Sequence, residues 1–431
     1  MEPQHNYNYG TGGMQQQVYG RTKSKRGCMF TGLILLVLFI AGTAIAMYFI
    51  FGKVSDTVED LTNRFTKMSD KDKFTGTRNV DDRFAGGFID ALPVPSTGTT
   101  SKIFIITDAS KTYIETTKRP GHFSTGVACI DCKTIVYVYD PVSNSITGSS
   151  EYKYPDVVTS TNIAVNNGKV YQFTRSYHET QAGVNVYDAL TGKLISETKD
   201  FIAAYPELSS GITELNYRPE DRYASFETKD GRKNLVFSVD NEKMYATEKD
   251  LRTALEKNAE GESYIYGLAN ENSDSRRQLY RITAPVKQIL THRSTLMSYA
   301  GREGMLKNYR ATSEKASDKN YIEGIIYAQD EEFVFLISQD EAGKKANRIF
   351  TCVDAKTGKE LWSVQQDGLF DYMKIDEVQN SQQSLHSTKD KISVSRLGSL
   401  VLLKFKGDGV MAFDTGSGKK LWSIQPAPVS F

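Results

Sequence analysis

Cysteine is scarce in this chain of 431 residues, and so is any excess of one charge. Its four cysteines, Cys28, Cys129, Cys132 and Cys352, are far too few to frame a disulfide scaffold, so a folded domain must be held by its core. Lysine and arginine total 53 against 52 aspartates and glutamates, and the net charge of +1 gives no reason to expect a nucleic-acid partner. The five histidines, His5, His122, His178, His292 and His386, are scattered, without a His-Glu-x-x-His or other ligand spacing. There is no Gly-x-Ser-x-Gly elbow, no phosphate-binding glycine loop and no EF-hand run. The acidic stretch 270–274 (NENSD) is read as a solvated loop in preference to a loose calcium site.

Long apolar runs are missing everywhere but one place. Residues 29–51 (MFTGLILLVLFIAGTAIAMYFIF) hold no charge, and as a helix they reach ~35 Å, enough to cross a hydrocarbon core of ~30 Å. Arg21, Lys23, Lys25 and Arg26 precede the run, while Lys53, Asp56, Glu59 and Asp60 follow it. The positive-inside rule then puts residues 1–28 in the cytoplasm and the large C-terminal part on the far side, in the periplasm or at the outer face of the plasma membrane. A cleaved signal peptide is the competing reading, because Ala44-Ile45-Ala46 resembles a cleavage site. Against it, the apolar run continues through Phe51 and the region before it is long. Cys28, at the inner boundary, lacks the Leu-x-Gly-Cys pattern of a lipoprotein.

The flanks of this anchor read differently. Residues 1–20, rich in Gln, Asn, Tyr and Gly, cannot bury a core and are expected to be a disordered tail. Beyond the membrane, Val54, Val58, Leu61, Phe65 and Met68 recur at spacings of four and three, an a/d seam of about two heptads. With the small-residue pair Gly42 and Ala46, the seam points either to a homodimer or to a monomeric helical stalk. Residues 52–86 are therefore assigned to stalk and linker, and the globular part, 87–431, to start near Gly87.

Tyrosine (24) and phenylalanine (21) are plentiful, which favours strands. Four segments share one pattern: an alternating apolar run, an aspartate, a tight turn, then a second apolar run. They are IFTCVDAKTGKELWSV (349–364), VMAFDTGSGKKLWSI (410–424), VNVYDALTGKLI (184–195) and the degenerate VYVYDPVSNSI (136–146). Alternation gives a half-buried strand. Asp140, Asp188, Asp354 and Asp414 can bond the backbone of their own turns. Gly192, Gly358 and Gly418, with Asn144 in the degenerate copy, supply the left-handed position such a turn needs. The second strand is expected to carry Leu-Trp or Leu-Ile into the core. Asp140 and Asp188 lie 48 residues apart and Asp354 and Asp414 lie 60 apart, an uneven spacing, and a hairpin repeat of roughly 40–50 residues is that of a β-propeller blade. The fold expected is all-β, a propeller of about seven four-stranded blades after one transmembrane helix and a short stalk. Residues 234–239, 263–266, 322–327, 332–337 and 399–404 are further blade strands. Residues 247–258 read as a helix capped by Thr247, and 296–319 as a polar, weakly helical insertion.

The two C-terminal copies, VDAKTGKELWSV and FDTGSGKKLWSI, resemble the repeat of the pyrroloquinoline-quinone-type β-propellers. That family holds quinoprotein alcohol dehydrogenases and also non-enzymatic envelope scaffolds. The resemblance implies the fold but not the cofactor. The dehydrogenases resembled carry an adjacent Cys-Cys disulfide and a calcium site on a longer chain, and this sequence has no Cys-Cys pair. Neither the quinone nor calcium is expected. In these repeats the tryptophan packs between blades, which assigns Trp362 and Trp422 to packing.

One chemical motif stands out, Cys129-Ile-Asp-Cys132. It is compatible with a local disulfide, with half a zinc site lacking its second pair, or with a redox pair lacking the helix that would lower a thiol pKa. A local disulfide or two quiet thiols is favoured, and Cys352 is expected in the core. The leading functional expectation is a non-catalytic, membrane-anchored propeller that binds an envelope protein or ligand. A quinone- or dye-linked oxidoreductase and a sensor reporting through the tail are the alternatives.

Overall fold

The computed structural model describes residues 80–95, 101–119, 122–154, 158–176, 182–257, 259–270, 275–341, 348–365 and 392–427. The expected tail, the apolar run 29–51, the stalk as far as residue 79 and the acidic residues 271–274 lie outside them. Among the described residues no helix is long and apolar enough to cross a membrane. The chain divides between Arg78 and Asn79 into two units, and every described strand and helix belongs to the second, Asn79–Phe431.

Strands dominate this unit. β1 (Asp81–Ala85) precedes Gly87 and so takes in residues assigned to the linker. β2 (Gly87–Val94), β3 (Lys102–Asp108), β4 (Lys111–Arg119), β5 (His122–Asp140) and β6 (Ser145–Tyr154) come after it. Of these, β2, β3, β5 and β6 form the first antiparallel sheet, and β4 pairs only with the first half of β5. The second sheet is β7 (Val158–Asn166), β8 (Lys169–Ser176), β9 (Gly183–Asp188) and β10 (Leu194–Ser196). After α1 (Thr198–Ala204), the third is β11 (Ile212–Arg218), β12 (Tyr223–Thr228), β13 (Leu235–Ser238) and β14 (Lys243–Tyr245).

α2 (Glu248–Glu256) starts at Thr247, whose side chain accepts from Asp250 N, and interrupts the run of sheets. Next come β15 (Glu262–Ala269), β16 (Arg276–Pro285), α3 (Val286–Ser298), α4 (Glu303–Leu306) and β17 (Thr312–Gln329). β17 is long enough to serve twice. Its first half completes a three-stranded fourth sheet with β15 and β16. Its second half opens a fifth with β18 (Phe333–Gln339), β19 (Arg348–Asp354) and β20 (Glu360–Gln365). The sixth sheet is β21 (Ile392–Leu397), β22 (Leu400–Phe405), β23 (Gly409–Asp414) and β24 (Lys420–Ile424), and β25 (Pro426–Ala427) pairs in parallel with β1.

One expectation is corrected here. Residues 296–319 were expected to be weakly helical, but only their first part is helix, and from Thr312 they are strand. Ladder hydrogen bonds to β16 hold that polar strand, so it shows little apolar alternation to read. The expectation of about seven units is not decided by the described residues, since 366–391 lie outside them. With the two halves of β17 assigned to separate sheets, the described residues form six besides the β1–β25 pair. The interval between Asp188 and Asp354 holds helices and the double-length β17 beside its sheets.

The core explains the strand sequences. In β3, Ile103 and Ile105 join a cluster with Tyr137 of β5 and with Leu402, Val410 and Ala412 of the sixth sheet. Their neighbours Phe104 and Ile106 pack instead with Ile163, Val170 and Tyr187 of the second sheet. A strand with four apolar residues in a row, 103–106, is thus buried on both faces, one against each neighbouring sheet. The pattern continues around the molecule. Phe173 and Val184 of the second sheet meet Phe226 and Phe237 of the third. Leu279 and Tyr321 of the fourth meet Val334 and Val353 of the fifth. Phe350 and Trp362 of the fifth meet Leu403 and Phe413 of the sixth.

Between the third and fourth sheets the helices substitute for direct contact. Leu251 of α2 packs on Tyr223 and Val236, and Ile289 and Leu296 of α3 pack on Ile265 and Ile282. The Glu256–Lys287 pair at 2.6 Å and a hydrogen bond from Arg252 to the Thr291 carbonyl join α2 to α3. The cycle is therefore closed, because the sixth sheet returns to the first. A fully buried aromatic such as Phe350 contributes roughly 1.5–3 kcal/mol by burial, against ~0–1 kcal/mol for an exposed ion pair, so the stacked faces dominate stability.

Candidate functional site

The repeat turns are the first feature the sequence singles out, and they share one geometry. In each of three, the glycine N–H donates to the aspartate carbonyl: Gly192 to Asp188 at 2.9 Å, Gly358 to Asp354 at 2.8 Å and Gly418 to Asp414 at 2.8 Å. The aspartate side chain then accepts from the turn's own backbone, as Asp188 Oδ1 does from Thr191 N at 2.8 Å and Asp354 Oδ1 from Thr357 N at 2.7 Å. Asp414 Oδ1 accepts from Ser417 N at 2.8 Å, and Asp140 Oδ1 from Val142 N at 2.9 Å. The Thr191 hydroxyl and these backbone donors hold Asp188 below the usual carboxylate range, and Ser417 does the same for Asp414. Gly192, Gly358 and Gly418 have φ of 70°, 70° and 68°, and Asn144 has 49°.

Each turn also rests on the sheet before it. A Cβ on Gly418 would lie 2.6 Å from the Trp362 ring, one on Gly358 would lie 3.0 Å from Ala316, and one on Gly192 would lie 3.2 Å from Val138. Trp362 is buried and donates its indole N–H to Thr415 O at 2.6 Å. Trp422 packs edge-on against Tyr139 at 5.6 Å, across the seam between the last sheet and the first. The leucines beside the tryptophans behave otherwise. Leu361 and Leu421 are 46% and 49% exposed, and the equivalent Ile195 is 55% exposed. The expectation that Leu-Trp or Leu-Ile enters the core is thus corrected: strand alternation turns one residue of each pair outward.

Cys129 and Cys132 are joined by a disulfide, with Cα atoms 5.7 Å apart. It sits at the root of the β4–β5 arm, where β5 leaves its partnership with β3 and β6. Lys111↔Asp131 and Thr112↔Cys129 mark a bulge at the same place. Tyr113 and Ile130 on this arm are 48% and 56% exposed. Beneath the root lies a buried polar cluster between the first and second sheets. Tyr187 OH donates to Gln172 Oε1 at 2.9 Å beside Asn185, and burial pushes the Tyr154 and Tyr187 phenols up. Cys352 is buried on β19, and burial pushes its thiol up to about 12.

Sequence reasoning missed one concave site. A cleft of about 530 Å³ opens between β15, β16 and the turn joining α3 to α4. Arg277 and Arg302 line it with Asn270 and Ser298, and Leu268, Tyr280 and Ala300 give it an apolar wall. Gly301, at φ +70°, turns the chain tightly over the Tyr280 ring, where a Cβ would come within 3.1 Å. Arg277 Nη1 donates to Gly324 O at 2.9 Å, which holds its guanidinium in place. These residues are spread over more than thirty positions at no motif spacing, and topology alone brings them together. Among the described residues, no three His, Cys, Asp or Glu are placed to hold a metal ion.

No protein-family model matches the chain, and no curated protein matches it. Solved structures similar to it include apo AztD from Citrobacter koseri, at 9% identity over 79% of this chain and 87% of that one, with a TM-score of 0.19. BamB from Moraxella catarrhalis matches at 12% identity over 78% of this chain and 75% of that one, with a TM-score of 0.20. The computationally designed Ika8 protein matches at 11% identity over 83% and 94%, with a TM-score of 0.23. Superpositions this poor carry no argument about this chain.

Proposed function

We propose that the chain is a single-pass membrane protein whose large domain, on the far side of the membrane, is a β-propeller of the pyrroloquinoline-quinone-like repeat type. In this reading it is a non-catalytic binding or scaffold module for an envelope protein. The propeller reading draws support from the closed cycle of meander sheets, each buried on both faces, and from the three aspartate–glycine turns seated on the preceding sheet. The anchor reading draws support from the uncharged run 29–51 and its flanking charges.

One observation carries the binding role. The β4–β5 arm leaves the first sheet, and β4 pairs with nothing but β5 among the described residues. An open strand edge beside exposed Tyr113 and Ile130 costs a lone protein solubility and suits capture of a partner's strand.

The test is in-cell crosslinking of the full-length chain followed by mass spectrometry, with the fragment 1–85 as control. A variant with Asn-Gly in place of residues 114–127 shortens the arm to a two-residue hairpin. A stoichiometric envelope protein captured by the full chain and lost from both the fragment and the short-arm variant is the expected result. Capture of nothing beyond the fragment's own set would sink the scaffold reading.

A further inference from the structure

We infer that the seam between the first and second sheets holds an internal hydration site, where ordered water bonds the buried polar groups of Thr134, Tyr154, Gln172 and Asn185. The site stands on this seam alone and does not depend on the scaffold reading. Part of the seam is apolar, with Val136 and Val138 of the first sheet packed with Ile163 and Val170 of the second. On the same face of β5 the next residue after Val136 is Thr134, and on the same face of β8 the next after Val170 is Gln172. Gln172 lies directly across from Asn185 of β9, and Thr161 of β7 shares their face. On β6, Tyr154 pairs with Cys132 and Tyr152 with Thr134. The two polar halves meet at the Tyr154 phenol, which feels Thr134 from its own sheet and Gln172 and Asn185 from the next.

Hydrogen-bond accounting identifies the occupant. Gln172 is 0% exposed, Thr134 and Asn185 are 2% exposed and Thr161 is 6% exposed. Tyr187 OH already takes Gln172 Oε1, at 2.9 Å. That leaves Thr134 Oγ1, Tyr154 OH, Thr161 Oγ1, Gln172 Nε2 and Asn185 Oδ1 buried without a hydrogen-bond partner among the described residues. Buried dry, each forfeits the bonds it makes in water and gains none. The needs are of both kinds: the Gln172 amide nitrogen donates, the Asn185 oxygen accepts, and a hydroxyl does either. Water answers both at once, and at about three bonds per molecule the set calls for about two waters. The side chains acting on the Tyr154 and Tyr187 phenols are all uncharged, and burial pushes both phenols up, so they stay neutral. An ion would find no counter-charge among them, whereas a neutral occupant needs none.

Oxygen-17 magnetic relaxation dispersion on the detergent-solubilised full chain tests this, with water itself as the probe. The comparison is with the double variant Thr134→Val/Tyr154→Phe, which removes two of the partnerless hydroxyls at nearly constant shape. The expected result is a dispersion amplitude lower in the variant by about two long-lived waters. The thermal midpoint supplies an independent sign. A hydroxyl bonded to internal water is missed when it is removed, so the midpoint should fall by a few degrees. A hydroxyl buried dry is a burden, and its removal raises the midpoint. Each single variant carries the same test of sign should the pair fail to fold. Equal amplitudes in the parent and the double variant overturn the assignment, as does a raised midpoint.

Discussion

Gly418 and Gly168 share nearly the same backbone twist, φ +68° and +73°, in very different surroundings. A Cβ on Gly168 meets nothing within 4 Å, whereas one on Gly418 drives into the Trp362 ring. Gly168→Ala therefore has only the left-handed backbone to overcome, ~1–2 kcal/mol. Gly418→Ala adds overpacking at the Trp362 contact, ~1–3 kcal/mol more. Denaturant unfolding of the two variants should separate them by that difference, and equal losses would mean the turn does not bear on the preceding sheet. Asn144 shows the same position filled otherwise. Its side chain accepts from Tyr139 OH at 2.8 Å and from Arg83 at 3.1 Å, so the degenerate turn is bonded into the seam between first and last sheets.

At the scale of elements, the arm is the part whose behaviour the core does not dictate. The disulfide at its root closes a loop of only three peptide steps, so loop entropy limits its stabilisation to ~2 kcal/mol. Its larger effect is local, tying the arm's first paired residues to the sheet. The double variant Cys129→Ser/Cys132→Ser should keep most of the global stability while amide exchange quickens across residues 111–131. Unchanged exchange there would show that the β4–β5 ladder alone orders the arm.

The strands of the second, fifth and sixth sheets were legible in the sequence because alternation, aspartate and glycine fall in a fixed order there. The arm was less so. Its strands pair with each other through backbone bonds, and apolar periodicity records only burial. The cleft was not legible at all. Arg277 and Arg302 lie on elements separated by α3, and no local spacing announces a juxtaposition that the chain path creates.

For the molecule as a whole, closure is the decisive contact. β1 and β25 come from opposite ends of the unit, joined by Asp81 N to Gln425 O and Gly86 N to Ala427 O, each at 2.8 Å. Phe84 is fully buried between Tyr137 and Tyr139, and Lys404 reaches across the same seam to Asp90 at 2.7 Å. The sequence pattern put the start of the fold at Gly87, because β1 is too short and too charged to read as a strand. A fragment 79–431 should unfold in one cooperative step. A fragment 87–431 lacks β1 and should melt several degrees lower, by the ~3–5 kcal/mol that loss of a buried phenylalanine costs. Equal midpoints for the two would show that the cycle holds without its first strand.

This arrangement also fixes where a mechanical load would fall. Any tension transmitted along residues 1–79 enters the fold at Asp81, the first residue of β1. Because β1 runs parallel to β25, a load applied along the β1 axis and opposed at the far end of β25 would slide the two strands along each other, loading their cross-strand bonds together instead of opening them one after another. The strand that completes the cycle is thus also the first that such a load would meet.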